Sequence, residues 1–115
     1  MHLIASGIVF DARNGETWLD CQAEYAWMQT LAMSHRVLIL SGDIHDNNLA
    51  TYRLANGKFL FEATSSGAAV CTAVTVGTEQ RNWGLLNIDA AQVGIEIFKS
   101  GATQYQGRID RASWQ

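Results

Sequence analysis

The sequence predicts an α/β fold: one βαβ unit followed by an antiparallel β meander, in a single partial domain. Three observations carry this. Val37-Leu38-Ile39-Leu40 is a run of large apolar residues bounded by polar and glycine signals, the mark of a fully buried strand. A helical stretch precedes it, and a short apolar piece, Leu3-Ile4-Ala5, precedes the helix. From Asn48 onward the texture changes to short apolar segments separated by turn signals.

The elements follow in chain order. Leu3-Ile4-Ala5 reads as a buried strand, and Ile8-Val9-Phe10 as the start of a loop. That loop runs through a polar stretch with an Asn14-Gly15 turn signal. A helix follows, from Trp18 or Cys21 to Ser34, with Asp20 or Thr17 able to cap it. Ala23, Trp27 and Leu31 fall on one stripe, with Met28 and Ala32 beside it, and this stripe is expected to pack on the core. His35-Arg36 places positive charge at the helix C-terminus, where the dipole favours it. Residues 49–55 and 58–64 flank Asn56-Gly57, a type I′ hairpin signal. Residues 68–78 are small and β-branched and receive no assignment. Residues 83–88, 93–98 and 103–109 then form a meander, with turns at Asp89-Ala90-Ala91 and Ser100-Gly101. Val93, Ile95 and Ile97 alternate with Gly94 and Glu96, so one face of that meander is apolar.

Composition narrows the function classes. At 115 residues the chain makes one domain at most, with a modest core. Nearly half its residues are apolar, at 48%, which argues against disorder. The net charge of −3 and the scattered Lys and Arg give no nucleic-acid signature. Cys21 and Cys71 lack metal-type spacing, and buried free thiols are expected for both. No segment has the length of a transmembrane helix. The N-terminal apolar stretch lacks a basic flank and runs into Asp11, so it does not read as a signal peptide.

The chemistry concentrates in Ser41-Gly42-Asp43-Ile44-His45-Asp46, directly after the buried strand. In open α/β sheets, ligands gather beyond the carboxyl ends of the strands. Asp43 and His45 are hard-to-borderline metal ligands, suited to Zn, Fe or Mn. An alternative stands beside this: Asp43 can close an Asx-turn with Gly42, and His45 can be an ordinary loop histidine. Asp46 is a candidate to orient His45, or else a solvated loop carboxylate. His35 is better explained by the helix end than as a ligand. Ser41, Ser65 and Ser66 lack the strand-turn-helix setting of a nucleophile elbow, and no catalytic nucleophile or base is assigned.

Taken in order, three blocks resemble the C-terminal half of a PhoD-type alkaline phosphatase, within the calcineurin-like metallophosphoesterase superfamily. Glu16-Thr17-Trp18, a helix, and Val37 to His45 are similar to that family's tryptophan, helix and strand-Ser-Gly-Asp-x-His block. Phe61-Glu62-Ala63-Thr64-Ser65-Ser66-Gly67 resembles its strand ending in Glu-x-Thr-Ser-Ser. Asn82-Trp83-Gly84-Leu85-Leu86-Asn87-Ile88-Asp89 resembles its Asn-aromatic-Gly strand. The resemblance spans nearly the whole chain and implies half of a metallophosphatase α-β-β-α sandwich.

It also implies phosphoester hydrolysis at a multinuclear centre of Fe, Zn, Mn or Ca ions, with Asp43 and His45 at two metal-ligand positions. In such centres two metals about 3.5–4 Å apart clamp the phosphoryl oxygens and supply hydroxide near neutral pH. The superfamily's other ligands lie on Asp-x-His, Gly-Asp-x-x-Asp and Gly-Asn-His loops of an N-terminal half, and this chain carries none of them. Even one catalytic zinc normally takes three protein ligands. The expectation is therefore a segment whose activity needs an N-terminal half. With that half absent, Leu3-Ile4-Ala5, Val37-Leu38-Ile39-Leu40 and the hairpin of residues 49–61 should leave apolar surface open and drive self-association. The alternative is a non-catalytic α/β interaction module, or a remnant with no phosphatase activity of its own.

Overall fold

A computed structural model describes residues 1–11, 16–67 and 82–115. The unassigned stretch at 68–78, Cys71 and the Asn14-Gly15 turn lie outside them. The element order is β1 (His2–Ala5), a 3₁₀ turn (Trp18–Asp20), α1 (Gln22–Ser34), β2 (Val37–Ser41), β3 (Asn47–Arg53), β4 (Phe59–Ser65), β5 (Asn82–Ile88), β6 (Gln92–Lys99) and β7 (Ala102–Asp110). Among the described residues these strands make a mixed sheet in the order β1-β2-β4-β3 and an antiparallel sheet in the order β5-β6-β7.

The βαβ unit is present: β1 and β2 pair in parallel, His2 opposite Val37 and Ala5 opposite Leu40, with α1 between them in sequence. On its other side β2 pairs in parallel with β4, and β3 returns antiparallel along β4. Val37-Leu38-Ile39 is fully buried because both faces of β2 are covered. Val37 and Ile39 join Leu60 beneath the helix, in a cluster with Phe10, Met28 and Ala32. Leu38 points the other way, with Phe61 and Ala63, onto Val93, Ile95, Ile97 and Ile109 of the meander. The result is helix on mixed sheet on antiparallel sheet, three layers around two apolar seams. The alternation of Val93, Ile95 and Ile97 predicted that inner face, and each is almost completely buried.

Several expectations are corrected. The second sheet covers the face of β2 that was expected to lie open, because the meander supplies the missing apolar layer. Leu3 sits on an edge strand and is 44% exposed. Cys21 is exposed, at the boundary between the 3₁₀ turn and α1. The helix presents Met28 and Ala32 to the sheet, whereas Trp27 is 58% exposed. One residue is about 100° of helix rotation, so the apolar stripe through Trp27 missed the packed face by a single position.

The helix is otherwise well specified: it lacks Gly and is rich in Ala, Gln and Met. Thr17 and Asp20 form a capping box on the 3₁₀ turn. At the far end Asn56 Nδ2 and Lys58 Nζ donate to the Met33 carbonyl at 3.0 and 2.9 Å. The hairpin turn is also corrected. Asn56 keeps a negative φ while Gly57 takes +82°, and the Gly57 N–H closes onto the Leu54 carbonyl. A type I′ turn needs positive φ at both central residues, so this is a longer loop ending in a left-handed glycine.

Candidate functional site

Beyond the carboxyl end of β2 the backbone takes an unusual course. Asp43 and His45 both lie in the left-handed region, at φ 63° and 55°. Asp and His enter that region more readily than most residues, yet each such position stores strain, of order 1–3 kcal/mol. Both side chains are exposed, and Ile44 between them is half-buried. The loop thus holds a carboxylate and an imidazole out to solvent at the strand end.

Hydrogen bonds tie this loop to the two other sequence blocks. Ser41 Oγ and Thr64 Oγ1 share a buried bond of 2.8 Å between β2 and β4. The His45 N–H donates to Ser66 Oγ at 3.3 Å. Asn82 Nδ2, at the start of β5, donates to the Ser66 carbonyl at 2.8 Å. Asn47 Nδ2, just past the loop, bridges to the second sheet, donating to the Phe98 carbonyl and to Gln104 Oε1 at 3.1 and 2.8 Å. Asp43 and His45 therefore sit where the ends of β2 and β4 meet the ends of β5 and β6.

Three buried polar atoms at this pole have no hydrogen-bond partner among the described residues: Asn47 Oδ1, Ser65 Oγ and Asn82 Oδ1. Buried polar groups are paired in the great majority of cases, and these three lie together at one end of the molecule. Ser65 also lines a cleft of about 380 Å³ between the sheets, with Leu40, Gly42, Gly84, Leu86 and Ile97.

Asp46 turns away from His45 in its side-chain bonding. Its carboxylate pairs with Lys99 Nζ of β6 at 3.1 Å. The Asn47 N–H, and then Lys99, hold it below the usual carboxylate range. His35 lies at the opposite end of β2, packed edge-on against His2 at 5.1 Å. Among the described residues no group of three or more His, Cys, Asp or Glu gathers to hold a metal. Asp43 and His45 have the right donor chemistry for a borderline cation, and their number falls short of the three protein ligands of a catalytic zinc.

Sequence reasoning passed over Asn47 and Asn82 as site residues and weighed Ser65 only as a nucleophile. Asn82 and Ser65 stand in motifs quoted above, but nothing in a linear pattern shows that their side chains lose their solvent. Glu62 likewise has its role only in three dimensions. It is 1% exposed; Oε1 accepts the Phe10 N–H at 2.7 Å and Oε2 accepts the Tyr52 hydroxyl at 2.6 Å. It latches the long first loop onto the sheet.

The described residues include no helix long and apolar enough to cross a membrane. No family model matches the chain, and no curated protein matches it significantly.

Proposed function

We propose that this chain is a metallophosphoesterase-like segment, supplying Asp43 and His45 as two ligands of a metal centre that a complementary half completes. The observation that carries this reading is convergence. Three blocks spaced along the sequence, around Asp43, Ser66 and Asn82, are joined by hydrogen bonds at one end of the sheets. The three orphaned buried polar atoms lie at the same end. When bound, the metals would polarise a phosphoryl group and supply hydroxide; the chain's own part is to hold two donors on a strained loop.

The architecture supports a complementary half as well. β7 packs over β3, while β5 and β6 lie over β4. The edges β1 and β5 therefore face the same flank, and each lacks a second strand neighbour among the described residues. A partner bringing strands to that flank would extend both sheets and close the cleft.

Mn²⁺ titration followed by NMR tests the ligand assignment. The chain has three histidines, at 2, 35 and 45. Mn²⁺ should broaden the His45 resonances first and weakly, and Asp43→Asn should abolish the effect. Preferential broadening of His2 or His35 would sink the assignment. The isolated chain should leave a chromogenic phosphodiester intact. Turnover by the pure monomer, lost in Asp43→Asn, would refute the need for a second half. The alternative, a non-catalytic interaction module, is favoured by the shortage of metal-binding groups among the described residues; it gains if His45 does not respond to Mn²⁺.

A further inference from the structure

At the opposite end of β2 a second site takes shape. A cavity of about 500 Å³ opens between the end of α1, the hairpin turn and the C-terminal turn, with His2, His35, Arg36 and Lys58 in its wall. No Asp or Glu side chain lines it. Met1 and Gln115, the first and last residues, also line it, and the cationic side chains stand against a net charge of −3 for the chain as a whole.

The cations are placed by structure and keep donors to spare. Lys58 Nζ donates to the Met33 carbonyl at 2.9 Å, so it also offsets the partial negative charge of the helix end. One guanidinium nitrogen of Arg36 donates to the Ala112 carbonyl at 2.7 Å. Among the described residues neither is in a salt bridge; the ion pair among them joins Lys99 to Asp46, at the other end of β2. An ammonium has three donors and a guanidinium five, so both retain N–H groups for a ligand. Asp110 is the carboxylate that feels Arg36, but its Oδ1 already accepts from the Ser113 N–H and Oγ at 2.7 and 2.8 Å. The His2 and His35 rings meet edge-on at 5.1 Å, which sets two imidazoles beside the cations.

We propose that this cavity binds a small, multiply charged anion of the phosphate or pyrophosphate class. Arg36 and Lys58 supply charge-assisted hydrogen bonds, and the two imidazoles supply further N–H donors. The site is independent of the Asp43 loop, from which a whole strand separates it.

The histidines make the test internal. Inorganic pyrophosphate is titrated into the chain at about 0.15 M ionic strength, where the Debye length is about 8 Å and diffuse attraction is screened. The imidazole resonances are assigned with His2→Gln and His35→Gln. The expected result is a saturable shift of His2 and His35, half-complete at or below about 1 mM, with His45 still. Lys58→Gln and Arg36→Gln, both at exposed positions, should each weaken binding at least about fivefold, in line with loss of one charge-assisted hydrogen bond. Absence of saturation, equal movement of all three histidines, or unchanged affinity in both variants would overturn the proposal.

Discussion

Glu62 is buried at the centre of the helix-side seam with both carboxylate oxygens engaged. Removing it leaves the Phe10 N–H and the Tyr52 hydroxyl without their partner in a dry setting. Phe10 is itself the hub of that seam, stacked on Tyr25 at 4.5 Å and edge-on to Tyr52 at 5.4 Å. Glu62→Ala should therefore cost about 2–4 kcal/mol in urea denaturation, and Glu62→Gln less, because one acceptor survives. A loss no larger than that of an exposed substitution would show that the latch contributes little. Tyr52 gives a pH signature. Burial first, and Glu62 second, push its hydroxyl well above the usual phenol range. The fold thus favours neutral Tyr52, and its contribution is complete below the unfolded pKa of about 10. It is lost as pH rises beyond that value. Tyr52→Phe should flatten the fall in stability between pH 9 and 11, leaving the part due to Tyr25, which burial and Asp11 also raise. An unchanged slope would place the alkaline sensitivity elsewhere.

At the scale of elements, α1 and the sheet fix each other's orientation. Met28 is completely buried against β2 and β4, whereas Trp27 projects into solvent. Met28→Ala should cost about 2–4 kcal/mol. Trp27→Ala should stay within about 0.5 kcal/mol, although Trp is the larger residue. Paired chemical denaturation curves decide it, and a reversed order would mean that the helix packs with its other face. The second interlayer contact is tighter. At Gly107 of β7 an added Cβ would meet Leu49 Cδ2 of β3 at 2.8 Å. A side chain there must push Leu49 aside, so the absence of one lets the two sheets approach.

For the whole molecule, the informative surface is the flank shared by β1 and β5. β5 reads Asn-Trp-Gly-Leu-Leu-Asn-Ile, with no charge and no proline along its length. Trp83, Leu85 and Ile88 are exposed there, at 49%, 49% and 41%. Among the described residues β5 is an edge strand, and natural edge strands are usually blunted by charge, bulges or cover. Self-association is therefore expected through β5, rather than through the β2 face first expected to lie open. Sedimentation at rising concentration should show dimers or larger species, and Leu85→Lys should shift the population to monomer. A monomer at all concentrations would show that this edge is protected. The outcome bears directly on the complementary half, since a strand that captures another copy can also capture a partner.

Among the described residues, the sequence by itself determined the strands, the α-helix and their order. The four-residue apolar run, the helix before it, the Asn-Gly hairpin and the alternation of Val93, Ile95 and Ile97 are local patterns whose period sets secondary structure. It also placed Asp43 and His45 just beyond a buried strand. Tertiary structure decided the rest, because burial and proximity belong to faces rather than to stretches of chain. A rotation of one helical position exchanged Trp27 for Met28. The stacking of the meander on the mixed sheet covered β2 and moved the exposed apolar surface to β5. Glu62 acquired its latch from residues 52 and 10 positions away in sequence. The cationic cavity formed from scattered residues that no linear count would join: His2, His35, Arg36 and Lys58 come from three segments that meet only where the helix end, the hairpin turn and the first strand pack together.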